Sequence, residues 1–332
     1  LASPAGGRHR AGDAFDGGAE PEPRSVSPEG PPWRSNQGAL PGDRLPPAPV
    51  QVTVRFGSCD TILLSYTYAP AAAGRTRSLP PADHRTPHAL VPSIVSRQAR
   101  VYHRRDGNGR PLLVLSHIGV GAYQRHLTPS LGAEWSLVYV DLPGTGLSPG
   151  SLRDLSVAGI VEDLEALCDA LGLSRVHVFG HSVLGILAAE YAWRCPHRVA
   201  GAVLACTPPI ANWVLLRAEA DQHFASTASP ERKACYKARV SALSDTSSWR
   251  DRLQAEAPRR YFDVDVAPPR SAVDEPLVYE AARRVLSLPD VDWDIAERAA
   301  HRTSPLFIAS GRYDFVVPAP LWEARLPALP HA

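Results

Sequence analysis

The sequence predicts an α/β fold: a mostly parallel sheet with helices on both faces. Three observations predict it. Short apolar runs recur at 111–116, 135–141 and 175–179, the first two continuous, as expected of strands buried on both faces. Stretches of helical periodicity separate later runs of this kind, an alternation that marks βαβ units. The runs end in turns built from glycine and polar residues, where open α/β sheets carry their functional loops.

The totals narrow the class. A chain of 332 residues has room for one large domain with additions. A formal charge of +1 gives no field to attract nucleic acid or an anionic membrane, so neither is expected as a partner. The basic residues are nearly all Arg; Lys occurs only at Lys233 and Lys237. Five cysteines, Cys59, Cys168, Cys195, Cys206 and Cys235, show no CxxC spacing and read as small reduced core residues. That favours a reducing, cytoplasmic setting. No run approaches the length of a membrane span, and no secretory signal is visible.

Residues 1–95 form a Pro/Arg/Gly-rich segment read as mostly disordered; ten of the 33 prolines fall in the first 50 positions. Two apolar runs inside it, 50–54 and 62–64, are strand candidates. Residues 96–207 read as the first part of an α/β core. Residues 99–103 alternate like a strand, and Asp106-Gly107-Asn108-Gly109 reads as a hairpin-like turn. Residues 156–172 form an amphipathic helix, with Val157, Ile160, Val161, Leu164, Leu167, Cys168 and Leu171 on one face and Gly172 closing it. A strand at 199–204 follows. From 208 to 300 the alternation stops, and the segment reads as a helical cap. Trp213, Leu216 and Ala220 are expected on one face of a cap helix. The core resumes over 301–332 with a strand at 305–310 and a helix from Pro320 to about Leu326, limited by Pro327.

Four strand ends carry residues that could do chemistry. After 175–179, Gly180-His181-Ser182 sets a serine on a sharp strand-to-helix turn, which would expose its hydroxyl beside the first N–H groups of the helix. After 111–116, the loop His117-Ile118-Gly119-Val120-Gly121 either presents amides to a developing oxyanion or is a plain strand-end turn. After 135–141, Asp141 precedes a compact Pro/Gly turn and reads as a structural hydrogen-bonding residue. After 305–310, Gly311-Arg312-Tyr313-Asp314 places a carboxylate at a strand end.

These four motifs in this order resemble the α/β-hydrolase fold family. The Asp-x-x-Gly-x-Gly-x-Ser segment, the Gly-His-Ser turn and the Gly-Arg-Tyr-Asp-x-x-Val-Pro segment carry the resemblance, from about Ala99 onward. Within the family the chain looks most like proline iminopeptidase-type hydrolases and their esterase relatives. The resemblance implies Ser182 as nucleophile, Asp314 as triad acid, and the amides of Gly119 and Val183 as oxyanion hole. It implies no cofactor and no metal. The substrate class would be a small-molecule ester or amide, or a short peptide. Two departures count against the peptidase. Its oxyanion loop, His-Gly-Gly-Pro-Gly, reads His117-Ile118-Gly119-Val120-Gly121 here. Its elbow, Gly-Gly-Ser-Trp-Gly, reads Gly180-His181-Ser182-Val183-Leu184, with Gly185 one place late. Acidic cap residues Glu219, Asp221 and Glu231 could hold a substrate amine, but a solvated charged face is the plainer reading. A haloalkane dehalogenase is excluded, because that chemistry needs a carboxylate where Ser182 stands. Haloperoxidase and C–C hydrolase chemistry would use the same triad.

A serine needs an imidazole to take its proton, and in this fold the order is Ser, acid, His. One more helix, strand and their connections put that His roughly 24–30 residues past Asp314. Only 18 residues follow Asp314. His331 falls too early, His181 is turned away by its adjacency to Ser182, and His117 and His301 read as structural. The expectation is a chain lacking its last strand, last helix and general base. An inactive fragment or a non-catalytic binding protein on the same fold is the alternative.

Overall fold

A computed structural model describes residues 50–56, 60–66, 93–95, 100–127, 131–265, 275–288, 293–299 and 304–329. Strands β1 (Val50–Phe56) and β2 (Asp60–Tyr66) pair antiparallel, which meets the two early strand readings. The expected disorder of the other residues before 93 lies outside the described residues.

Among the described residues the main sheet has seven strands: β3 (Ser93–Val95), β4 (Arg100–Asp106), β5 (Arg110–Ser116), β6 (Trp135–Asp141), β7 (Val176–His181), β8 (Val199–Ala205) and β9 (Leu306–Ala309). Their order is β3-β4-β6-β5-β7-β8-β9. The β3/β4 and β4/β6 pairs are antiparallel; every other pair is parallel. The hairpin reading of Asp106–Gly109 is corrected by this order, since β6 lies between β4 and β5. The turn instead crosses the start of β6. A β-carbon on Gly107 would meet the Trp135 carbonyl at 2.5 Å, and one on Gly109 the Glu134 carbonyl at 2.2 Å. Only glycine allows so close a backbone approach.

The apolar runs divide cleanly between two faces, because successive side chains of a strand point to opposite sides. Leu113, Leu115, Val138, Val140, Val176, Val178, Ala202 and Leu204 pack with helices α2 (Val157–Ala170) and α3 (Leu184–Arg194). Leu112, Val114, Leu137, Tyr139, Phe179 and Val203 pack with Val120 and Tyr123 of α1 (Val120–His126). Both faces being buried is why these strands read as continuous rather than alternating. Each fully buried Leu or Val here contributes about 1.5–3 kcal/mol by leaving water. Helix α2 starts where Ser156 accepts the Gly159 amide at 3.0 Å and ends at Gly172, whose φ is 65°.

Among the described residues, six helices lie between β8 and β9, in the segment read as a cap: α4 (Trp213–Thr227), α5 (Pro230–Ser241), α6 (Trp249–Ala255), α7 (Ala257–Arg260), α8 (Glu275–Leu286) and α9 (Ile295–Ala299). The buried face of α4 is Leu216, Ala220 and Phe224. Trp213 is exposed, contrary to the expected stripe. The last predicted helix is shorter than expected. Helix α10 spans Pro320–Glu323, and a 3-10 turn follows at Leu326–Ala328. Pro327 has no N–H to continue the ladder and disfavours helical backbone at Leu326. Among the described residues β9 is the end strand of the sheet, and no helix is long and apolar enough to cross a membrane. Cys168, Cys195, Cys206 and Cys235 are free thiols.

Candidate active site

The carboxyl ends of β7, β8 and β9 lie side by side, and Ser182, Cys206 and Asp314 follow them. Ser182 has φ 55°, a left-handed conformation that costs a side-chain-bearing residue roughly 1–3 kcal/mol. Two glycines make the bend possible. A β-carbon on Gly180 would sit 2.3 Å from the Leu184 carbonyl oxygen, and one on Gly185 would sit 1.9 Å from Thr207 Oγ1. Leu184, in the place where the family's elbow has its second glycine, is instead a fully buried core residue. The Ser182 amide is fixed to the Ala205 carbonyl at 2.8 Å, so the corner is tied to the neighbouring strand. Among the described residues the Ser182 hydroxyl has no hydrogen-bond partner.

Two amides stand in the chain segments expected for an oxyanion hole. Val183 leads into α3, so its N–H lies at the positive end of an eleven-residue helix. Gly119 has φ 83° and precedes α1. Its neighbours are bound inward: the Ile118 amide donates to Ser116 Oγ at 3.4 Å, and the Val120 amide faces the Asp141 carboxyl. Neither the Gly119 nor the Val183 amide is hydrogen-bonded among the described residues.

Asp141 has the structural role read from the sequence. It is fully buried, and its Oδ2 accepts the Leu147 amide at 3.0 Å. Burial pushes its carboxyl up to about 6, against the Leu147 amide, the Ser116 hydroxyl and the Val120 amide. It thus joins the loop carrying Gly119 to the Pro143–Ser148 turn.

Asp314 stands just past β9. Its Oδ1 accepts the amides of Val316 and Val317, both at 2.9 Å. The thiol of Cys206 also hydrogen-bonds to its carboxyl. Burial raises the carboxyl above its ordinary range, and these donors with the charge of Arg260 oppose that. The same contact, after burial, pushes the Cys206 thiol up to about 12. Cys206 itself has φ 48° and donates its amide to the Ala309 carbonyl at 2.6 Å. Ser182 and Asp314 therefore follow strands two places apart, about 10 Å at ordinary strand spacing. An imidazole with a hydrogen bond at each ring nitrogen spans roughly 8 Å.

His181 Nδ1 meets the Tyr123 hydroxyl at 3.3 Å, with the rings edge-on and their centroids 6.0 Å apart. His117 is buried, and burial followed by the His181 charge lowers it to about 4, so it stays neutral. His223 of α4 packs against Phe315, with ring centroids 5.7 Å apart. No described imidazole hydrogen-bonds to Ser182 or Asp314. His301 and His331 lie outside the described residues. Among the described residues no group of three His, Cys, Asp or Glu side chains could hold a metal.

Of the acidic cap residues, Asp221 is bound by Arg259 and by Arg217 at 3.1 Å. Burial alone would raise it, but these two guanidiniums hold it below the ordinary carboxylate range. Glu231 is exposed in the first turn of α5. Sequence reading missed three residues of this region: Cys206, Tyr123 and Arg259. Cys206 had a usable signal, since it directly follows a predicted strand. Tyr123 and Arg259 had none, because their contacts cross between segments remote in sequence.

The family described as alpha/beta hydrolase fold matches residues 111–324, well over half of the chain. The AB hydrolase superfamily protein YclE of Bacillus subtilis is 26% identical over 244 residues, covering 69% of this chain and 84% of YclE. RutD of Pseudomonas savastanoi pv. phaseolicola, a protein named for carbamate hydrolysis, is 28% identical over 245 residues, covering 69% of this chain and 86% of its own. Among solved structures, the proline iminopeptidase of Mycobacterium smegmatis shares the fold at a TM-score of 0.53 and 22% identity, covering 73% of this chain and 87% of that one. The sheet order, the strained serine corner and these matches agree: the chain belongs to the α/β-hydrolase fold family.

Proposed function

We propose that the protein is a serine hydrolase that cleaves an ester or amide-type bond of a small molecule through an acyl-enzyme. The observation that carries this reading is Ser182: a strained, unpaired hydroxyl beside an unpaired helix-leading amide, on the sheet edge it shares with Asp314. In the proposed reaction, Ser182 Oγ attacks the substrate carbonyl while a base removes its proton. The amides of Gly119 and Val183 receive the oxyanion. The leaving group departs protonated, and water then attacks the acyl carbonyl and restores the hydroxyl. Asp314 orients and stabilises the imidazole that shuttles the proton. The described residues do not supply that imidazole.

Within this class, an ester or carbamate suits the site better than an N-terminal peptide. A peptidase must neutralise the substrate's free amine. Asp221 is already matched by two arginines, and Glu231 faces solvent. A relative named for carbamate hydrolysis fits the same class of heteroatom-substituted carbonyl. Membership of a hydrolase family and the free thiols also fit a small-molecule enzyme in a reducing compartment. The second reading, a binding protein on this fold, draws on the lack of any described imidazole against Ser182.

Hydrolysis of short-chain nitrophenyl esters, a carbamate ester and proline-naphthylamide, each with a Ser182→Ala control, tests the reading. Ester or carbamate turnover that disappears in Ser182→Ala supports it. Turnover indifferent to Ser182→Ala refutes it. Tight binding of these compounds without turnover supports the second reading.

A further inference from the structure

We infer that Arg259 is a positioning residue through which the cap holds the Asp314 loop in place. This rests on the reading of Asp314 as triad acid.

The residue after Asp314 is Phe315, and both of its backbone groups are bound by Arg259. The Phe315 amide donates to the Arg259 carbonyl at 2.8 Å, and Arg259 Nη2 donates to the Phe315 carbonyl at 2.9 Å. The reciprocal pair fixes the peptide plane on each side of Phe315. Asp314 supplies the next constraint itself, by drawing the Val316 and Val317 amides to Oδ1. Between them, Arg259 and Asp314 account for the amides of three successive residues.

Arg259 is held in turn by the cap. It is 2% exposed, and its Nη1 pairs with Asp221 of α4. Its guanidinium lies over the rings of Phe224 and Tyr236, 5.3 and 5.7 Å from their centroids. Arg232 of α5 braces the same corner. It donates to the carbonyls of Pro258 and Tyr261, both at 2.8 Å, and lies 5.3 Å from the Tyr313 ring and 5.9 Å from the Phe315 ring. A planar fork is required at Arg259, because one nitrogen must reach Asp221 while another reaches the Phe315 carbonyl. A lysine carries its three donors on one nitrogen and lacks the rigid two-nitrogen fork that meets both acceptors here. Arg259 Nε is buried with no partner among the described residues. Stability alone does not favour such a group, since an unpaired buried donor is unfavourable.

The consequence is a coupling. Any motion of α4 or α7 that opens the cap pulls on the peptide next to the triad acid. Closing the cap sets that carboxylate in place. The effect runs through backbone geometry, whereas the charge that acts on Asp314 is that of Arg260.

The test compares Arg259→Lys, Arg259→Met and Asp221→Asn with the parent chain, using two readouts. Amide hydrogen exchange across 311–319 is expected to speed up about tenfold in Arg259→Met, with the strands of the core unchanged. On a nitrophenyl ester with imidazole added, kcat is expected to fall about ten- to a hundredfold, with KM nearly unmoved. Arg259→Lys, which keeps the charge, is expected not to restore either. Asp221→Asn, which leaves the Phe315 bonds intact, is expected to give a smaller change in both. If Arg259→Met does not fold, the other two variants carry the comparison. Exchange and kcat that both stay at parent values in Arg259→Lys overturn the inference, as does a loss confined to KM. A parent chain with no hydrolytic activity even with imidazole added refutes the reading of Asp314, and the positioning role with it. The exchange readout separately decides whether the clamp exists.

Discussion

Gly185 and Thr207 are in contact so close that residue 185 has no room for a β-carbon, which would sit 1.9 Å from Thr207 Oγ1. Thr207 is fully buried just past Cys206, so it has nowhere to retreat. The contact holds the first turn of α3 against the end of β8. It therefore fixes the angle at which Ser182 leaves the sheet.

Gly185→Ala is expected to destabilise the fold by about 1–3 kcal/mol, the usual cost of overpacking. Adding Thr207→Ala should recover part of that loss, because the nearest clashing atom is gone. Urea unfolding of the single and double variants measures both. An unchanged midpoint for Gly185→Ala would mean that α3 and β8 are further apart than described.

Asp141 and His117 oppose one another in the pH dependence of stability. Asp141 has its folded value raised to about 6 by burial, so the folded state holds its proton longer than the unfolded chain. Its contribution is full below about pH 4 and is lost as pH rises through about 6, roughly 3 kcal/mol in all. His117 has its folded value lowered to about 4 by burial, so the unfolded chain binds its proton first. Its contribution is present above about pH 6.5 and is lost as pH falls through about 4, again roughly 3 kcal/mol. The two slopes largely cancel between about pH 4 and 6. Asp141→Asn should make stability rise more steeply with pH in that window, by up to about 1.4 kcal/mol per unit. His117→Gln should do the reverse. Equal slopes in both variants and the parent would contradict the burial of these groups.

Cys206 should be an unreactive thiol despite its place beside Asp314 at the carboxyl end of the sheet. Burial, then the Asp314 carboxylate, pushes it up to about 12. At pH 8 its thiolate fraction is then about a thousandfold below that of a free cysteine. Iodoacetamide should modify it correspondingly slowly, and Asp314→Asn should speed the reaction by removing the nearby charge. Peptide mapping over a time course measures this. Rapid alkylation of Cys206 in the parent would place it away from Asp314.

The main strands were legible because a strand buried on both faces has an unmistakable apolar run, as at 111–116 and 135–141. The elbow was legible because glycine, serine and the onset of a helix all fall within a few residues. The order of strands was less so. Asp106–Gly109 has every local mark of a hairpin, yet β6 inserts beside β4, and nothing in those four residues encodes a pairing made thirty residues later. Asp314 was legible as a strand-end carboxylate, but its setting was not. Cys206, Arg259 and the cap come to Asp314 through contacts between distant segments, which periodicity cannot report. Trp213 failed as a core residue because helical spacing gives a face, not the length over which that face is covered.

The most direct measurement is the site of reaction with a fluorophosphonate, located by mass spectrometry, with and without added imidazole. Added imidazole can stand in for a base that the described residues do not provide. The account predicts covalent modification at Ser182, faster with imidazole and absent in Ser182→Ala. Modification at another residue, equal modification of Ser182→Ala, or none under either condition would contradict it.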